Sequence, residues 1–121
     1  MRNVTNEVIM SIDFPIPPAD IRYRVASRDY PEEEFLTNGQ SLCQGFDKEM
    51  ARYGVKPRRL LDFGCGCGRI IRHFIARGGV ECHGSDTDPV GIEWCRRNLP
   101  GARSPSTTGF LHCPTPAGCS I

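Results

Sequence analysis

The sequence predicts an α/β fold, in which a βαβα unit with parallel strands follows a helical N-terminal arm. Two segments are predicted strands, the short apolar run at residues 58–63 (RRLLDF) and residues 80–86 (VECHGSD), and each is followed by a segment with helical periodicity. A glycine-rich turn joins the first run to its helix. Because strand–helix–strand crossovers are right-handed, we expect the two strands to lie parallel and side by side.

The N-terminal arm, residues 1–58, is predicted to be mainly helical. The proline-rich stretch DFPIPPAD favours extended chain, and the following IRYRV is predicted to form a short strand. From residue 29 onward three glutamates after Pro31 favour a helix start. Apolar residues then recur about every 3.6 positions and predict one buried face: Phe35, Leu42, Phe46, Met50 and Tyr53. Gly39 and Gly45 weaken this helix by about 1 kcal/mol each.

The predicted βαβα unit spans residues 59–103. Its first helix (RIIRHFIARGG) has an apolar face of Ile70, Ile71, Phe74 and Ile75, and its arginines are expected on the solvated face: Arg69, Arg72 and Arg77. In its second helix Asp88 is the expected N-cap and Pro89 the first helical residue. The buried face of that helix is predicted to be Ile92, Cys95 and Leu99.

Composition argues against several classes of partner. The chain has 121 residues and a net charge of +1, which suits one small domain and gives no basic face for nucleic acid. It contains no apolar run long enough to span a membrane, and its first residues do not resemble a secretory signal. We therefore expect a cytoplasmic protein without a membrane partner; the neutral charge disfavours nucleic acid as a substrate but leaves it open, along with small molecules, lipids and proteins.

The seven cysteines do not follow a metal-site pattern. Their number is odd and no C-x-x-C pair occurs. We predict buried free thiols in a reducing compartment and no metal site.

The glycine-rich turn has the pattern D-x-G-x-G-x-G, formed by Asp62, Gly64, Gly66 and Gly68. Glycine permits positive φ and lets a ligand approach the backbone closely. The dinucleotide fingerprint G-x-G-x-x-G is not met, because Arg69 stands at its third glycine position. The G-K-[ST] of a phosphate-binding P-loop is not present either.

Over residues 59–103 the chain resembles the class I S-adenosylmethionine-dependent methyltransferases, which have a Rossmann-like fold. LLDFGCGCGR is similar to their first motif, and VECHGSDTDPVGIEWCRRN to their second. The resemblance implies that Gly64, Gly66 and Gly68 wrap the methionine part of S-adenosylmethionine. It also implies that Asp62 orients the loop or reaches the cofactor's ammonium group.

The same resemblance implies that Asp86 accepts hydrogen bonds from both ribose hydroxyls, as a carboxylate can. Asp88 is an alternative for this role, although its place before Pro89 fits a helix cap better. Cys65, a small filler of the loop, and Thr87 complete the implied cofactor-binding residues.

The implied function is methyl transfer from S-adenosylmethionine to an unknown acceptor, and no catalytic residue can be named. The alternative is a non-catalytic fragment that binds the cofactor or a protein partner. Residues 104–121 are rich in Pro, Ser, Thr, Gly and Cys and are predicted to be irregular. Read one base out of frame, their codons permit a sequence that resembles the family's continuation. We therefore expect a truncated or frameshifted methyltransferase that is inactive alone; the alternative is a native short chain with a disordered tail.

Overall fold

The computed structural model describes residues 14–99 and 108–113, and it has four helices and three strands in these ranges. In chain order these elements are α1 (Ala19–Ala26), α2 (Glu32–Arg52), β1 (Arg59–Phe63), α3 (Ile71–Arg77), β2 (Glu81–Asp86), α4 (Pro89–Asn98) and β3 (Thr108–His112). The strands form one parallel sheet in the order β1-β2-β3. The predicted α/β class, a partial Rossmann-like βαβα unit behind a helical arm, is confirmed.

The register of the sheet brings the ends of the strands together at one edge. β1 runs beside β2 up to the pair Phe63–Ser85, and β2 runs beside β3 up to the pair Asp86–His112. The loops that leave β1 and β2 therefore start next to each other. In doubly wound sheets this carboxyl edge is where ligands bind.

Helix α4 forms as the sequence predicts. The Asp88 carboxylate accepts a hydrogen bond from the Val90 backbone N–H, and Pro89 occupies the first turn. The predicted buried face is confirmed, since Ile92, Cys95 and Leu99 are all buried. These side chains hold α4 on the sheet, and the main apolar cluster continues through Ile71, Phe74, Cys82 and Cys43.

Five of the seven cysteines are free and buried, as predicted: Cys43, Cys65, Cys67, Cys82 and Cys95. The prediction of a free thiol is wrong for Cys113, which is disulfide-bonded.

Residues IRYRV form part of helix α1, so the predicted strand is wrong. The Pro18 carbonyl accepts hydrogen bonds from the amides of Ile21 and Arg22, and a helix starts there. The Arg22 guanidinium then donates to the carbonyls of Pro17 and Tyr30, at 2.6 Å each. These contacts join α1 to the segments that precede and follow it, including the residues just before α2.

The predicted buried face of α2 is confirmed only in part: Phe35 is buried and Met50 packs against the core, but the other predicted positions are exposed. Phe35, Gly39 and Cys43 are buried, whereas the exposed fraction is 41% for Leu42, 50% for Phe46 and 71% for Tyr53. A Cβ on Gly39 would lie 2.1 Å from the Arg69 carbonyl oxygen. Gly39 therefore lets α2 approach the backbone just before α3 more closely than any other residue would.

Arg72 is fully buried, so its predicted place on a solvated face is wrong. Its guanidinium donates to the backbone carbonyls of Phe14 and Pro15, at 2.9 and 3.0 Å. It also lies over the rings of Phe14 and Phe35, about 6 Å from each centroid. Burial lowers the pKa of Arg72 to about 10, which leaves it charged at neutral pH. Arg72 thus joins the N-terminal segment to α3.

Strand β1 lies at an edge of the sheet and is only partly buried. Within residues 14–99 and 108–113 it pairs with β2 alone, and the exposed fraction is 44% for Leu61 and 63% for Phe63. An unpaired apolar strand edge favours association with other chains.

Strand β3 lies inside the segment that was predicted to be irregular, so that prediction is wrong for Thr108–His112. The local sequence does not signal a strand here, and β3 is stabilised by its pairing with β2. The rest of the predicted tail, residues 104–107 and 114–121, lies outside the described residues. No helix in the described part of the chain is both long and apolar enough to cross a bilayer.

Candidate cofactor site

The loop between β1 and α3 takes a conformation that requires its glycines. Gly64, Gly66 and Gly68 have φ angles of 83°, 57° and 88°, in the left-handed region that other residues rarely adopt. The amides of Gly64 and Cys65 both donate to the Ser85 carbonyl at the end of β2. This loop, residues 64–68, is called the glycine loop below.

Asp86 fixes the glycine loop to the end of β2. One carboxylate oxygen accepts from the Gly66 amide at 2.7 Å, and the other accepts from the Asp88 amide at 2.8 Å. Each carboxylate oxygen can accept two hydrogen bonds. Asp86 therefore orders the loop and still has one acceptor position left on each oxygen.

The glycine loop forms one wall of a cavity of about 250 Å³. Helix α1 contributes Ile21, Arg24 and Val25 to the lining. Ile70, Gly91 and four further charged or potentially charged side chains also line the cavity: Asp62, Arg69, Asp86 and Asp88. A space lined by backbone on one side and by charges of both signs suits a zwitterionic ligand more than an apolar one.

The carboxyl group of Asp62 is the most perturbed acid of this cavity. Its Oδ2 atom is buried and has no hydrogen-bond partner among the described residues. Burial, with a smaller contribution from the charge of Asp86, raises the pKa of Asp62 from 3.8 to about 6, while the charge of Arg69 acts to lower it. A buried acceptor without a partner is costly, and a donor from a ligand would remove that cost.

A second cavity of about 170 Å³ lies on the other side of Gly64 and Asp86, which line both spaces. Phe63, Ser85, Thr87 and Cys113 complete its lining. The Ser85 hydroxyl is buried and lacks a hydrogen-bond partner among the described residues. Two adjoining cavities with one shared carboxylate can hold an elongated ligand that passes Asp86.

Helix α1 is attached to the site through an ion pair. Arg24 donates two hydrogen bonds to the Asp88 carboxylate, at 2.9 and 2.7 Å. The bonds from Arg24, followed by the backbone N–H of Val90, hold the pKa of Asp88 below its usual value. The carboxylate of Asp88 is therefore already used in capping α4 and binding α1.

The structure brings most of the implied cofactor residues together, namely Asp62, Gly64, Cys65, Gly66 and Asp86. Gly68 is outside the cavity lining. A Cβ added at this position would lie 2.6 Å from the Leu99 side chain, so Gly68 lets the end of α4 pack against the glycine loop. Thr87 is exposed and lines only the second cavity. Three lining residues were not identified from the sequence: Arg24, Arg69 and Ser85. For Arg69 there was a signal, since it stands where the dinucleotide fingerprint has its third glycine.

The two loop cysteines are not activated nucleophiles. Hydrogen bonding with Cys95 and burial raise the pKa of Cys65, and burial raises the pKa of Cys67 to about 12. Both thiols therefore stay protonated at neutral pH, and a protonated thiol is a weak nucleophile. The described residues contain no group of three or more His, Cys, Asp or Glu that could hold a metal ion.

Asp62 should give the folded chain a recognisable pH dependence. Because its folded pKa is raised, the folded state binds the Asp62 proton more tightly than the unfolded state does. The bound proton makes its full contribution to the free energy of unfolding below pH 4, and this contribution is lost as the pH rises through 6. We expect the unfolding free energy of the native chain, relative to Asp62→Asn, to fall by roughly 2 kcal/mol between pH 4 and 7.

Urea denaturation of both proteins across this range measures that difference. His73, whose pKa burial lowers to about 4, gives the opposite slope in this window. It is present in both proteins, so its contribution cancels. A difference that stays constant from pH 4 to 7 would show that Asp62 is not a perturbed acid.

Comparisons with known proteins identify the fold. No protein-family model and no curated protein matches the sequence. A similar solved structure is the plantazolicin methyltransferase BamL, in complex with a triazolic desmethylPZN analog and SAH. It matches with a TM-score of 0.52 and 18% identity over 92% of this chain. At this identity the likeness establishes the fold.

The chain spans 39% of the length of the BamL chain. A TehB-like SAM-dependent methyltransferase from Corynebacterium glutamicum also matches, at 22% identity over 62% of this chain and 45% of its own. Its TM-score is 0.35, so nothing further is based on it.

Proposed function

We propose that this chain binds S-adenosylmethionine at the glycine loop and forms the cofactor-binding part of an S-adenosylmethionine-dependent methyltransferase. One observation carries the proposal: Asp62, whose buried Oδ2 has no partner among the described residues, lines the cavity walled by the glycine loop. When bound, the cofactor supplies an activated methyl group on its sulfonium. The fold shared with BamL, whose structure contains SAH, supports the same ligand class.

The residues of the cavity fit the amino-acid end of this cofactor. An ammonium group has three N–H donors and no acceptor, and Asp62 offers an acceptor that lacks a donor. Binding would also favour the ionised form of Asp62, whose pKa burial now raises to about 6. The positive-φ residues Gly64 and Gly66 carry no side chain on the cavity side of the loop, so a ligand can lie directly on its backbone.

Asp86 fits the ribose. It lies between the two cavities and keeps an acceptor position on each oxygen beside its two backbone hydrogen bonds. We assign the ribose hydroxyls to Asp86 and the adenine base to the second cavity. Asp88 is the weaker candidate, because its carboxylate already binds Arg24 and caps α4.

The methyl acceptor and the catalytic residues stay open. The net charge of +1 gives no reason to choose nucleic acid as the acceptor. The proposed location is the cytoplasm, where the five free thiols would remain reduced. A unit that binds cofactor without performing chemistry is the second candidate.

Isothermal titration calorimetry with S-adenosylhomocysteine tests the proposal, with NAD⁺ and ATP as competing ligands. We expect saturable binding of S-adenosylhomocysteine and no binding of the other two. Binding of NAD⁺ or ATP alone would instead indicate another Rossmann-like nucleotide binder. Transfer of labelled methyl groups to cell extract then separates an enzyme from a unit that only binds.

Gly66→Ala should weaken this binding by about tenfold or more. At a φ of 57° an alanine costs about 1–2 kcal/mol, and relief of that strain would move the Gly66 amide away from Asp86. Gly45→Ala is the matched control, since Gly45 lies in α2 with nothing within 4 Å of the added Cβ. Equal affinities of the two variants for S-adenosylhomocysteine would place the ligand away from the glycine loop.

A further inference from the structure

Arg69 is a cation of the cavity that no described carboxylate neutralises. Among residues 14–99 and 108–113 its guanidinium makes one hydrogen bond, from Nη1 to the Tyr30 hydroxyl at 3.0 Å, and it lies 5.9 Å from the centre of that ring. Arg24, the other arginine of the cavity, is already paired with Asp88. The remaining donors of Arg69 are therefore available to a ligand.

The position of Arg69 is fixed before any ligand binds. Tyr30 is buried, with 3% of its surface exposed, and its hydroxyl also accepts from the Asn38 side chain at 3.0 Å. The backbone of Arg69 is held as well, because Gly39 of α2 packs directly against its carbonyl oxygen. A preorganised guanidinium loses little conformational entropy on binding an anion.

Arg69 and Asp62 line the same cavity with opposite charges. They are close enough for the charge of Arg69 to act on the pKa of Asp62, yet they form no ion pair. An α-amino acid end carries an ammonium and a carboxylate on one carbon atom. It would give Asp62 a donor and Arg69 an acceptor at the same time.

We infer that Arg69 binds the α-carboxylate of the cofactor's amino-acid end, so that Asp62 and Arg69 together recognise a zwitterion. This rests on the proposed function and adds a specificity to it: the site selects ligands that carry a carboxylate. Decarboxylated S-adenosylmethionine, which retains the ammonium, sulfonium and nucleoside, lacks the one group that Arg69 contacts.

The test is a cycle of two proteins and two ligands, measured by calorimetry on the full chain. S-adenosylmethionine should bind the native chain about 10- to 100-fold more tightly than its decarboxylated form, as expected for a charge-assisted hydrogen bond. Arg69→Gln should bind both ligands equally, at the affinity of the native chain for the decarboxylated form. Arg97→Gln, an exposed arginine of α4 paired with Glu93, should behave as the native chain does.

The possible results separate the inference from the proposed function. Equal binding of the two ligands by the native chain overturns the role of Arg69 and leaves cofactor binding intact; this arm needs no variant to fold. Discrimination that persists in Arg69→Gln, or that disappears in Arg24→Gln instead, also overturns it. Binding of neither ligand by the native chain contradicts the proposed function, and the inference falls with it.

Discussion

Arg72→Ala should reduce the free energy of unfolding by about 3–5 kcal/mol, a large share of what a small domain possesses. The substitution removes two charge-assisted hydrogen bonds to the carbonyls of Phe14 and Pro15, each worth about 1.5–3 kcal/mol. It also removes a side chain that is 0% exposed and fills the space beside Phe35. The N-terminal segment would lose its attachment to α3.

Arg77→Ala is the matched control on the same helix. Arg77 forms a partly exposed ion pair with Asp47 and lies over the Phe74 ring, so its loss should cost about 1 kcal/mol or less. Urea denaturation followed by circular dichroism compares the two variants. Equal midpoints would show that burial of Arg72 does not stabilise the fold.

Asp86→Asn should lower the affinity for S-adenosylhomocysteine by about 100-fold or more. Two ribose hydrogen bonds to a charged acceptor are together worth about 3 kcal/mol at least. An asparagine also cannot accept from both backbone amides that Asp86 binds, because one of its oxygens is replaced by an N–H₂ donor. The glycine loop would lose its attachment to β2 along with the ligand contact.

Asp88→Asn separates the two candidate acids. Asparagine caps a helix as well as aspartate does, so α4 should be preserved while the charge opposite Arg24 is lost. We expect Asp88→Asn to change the affinity by about threefold at most, as for an exposed ion pair. If Asp88→Asn abolished binding and Asp86→Asn did not, the ribose would be assigned to Asp88.

The parts of the fold that local chemistry determines were predictable from the sequence. Asp88 and Pro89 set the start of α4, and its buried face follows from the spacing of Ile92, Cys95 and Leu99. The end of β1 follows from an apolar run that stops at a glycine turn, and the end of β2 from the acid that precedes the next helix. The glycine loop follows from D-x-G-x-G-x-G, because positive φ at three alternate positions requires that residue type.

The features that depend on contacts distant in sequence were not predictable. The burial of Arg72 depends on carbonyls 57 and 58 positions away. Helix α1 is positioned by the pair between Arg24 and Asp88, 64 positions apart. Gly39 lowers helix propensity, but it lies against the Arg69 backbone, where a larger residue would not fit. This contact exists only in the folded chain. In each of these cases tertiary packing, and not the local sequence, determines where the residue or helix lies.

Binding at the glycine loop is tested most directly by a two-dimensional ¹H–¹⁵N titration of the full chain with S-adenosylhomocysteine. We predict that the largest amide shifts fall on Gly64, Gly66 and Asp86, while Gly45 on α2 does not move. Saturation without shifts at the glycine loop would contradict the assignment. So would shifts centred on the apolar groove between α2 and β1, lined by Phe46, Met50 and Leu61.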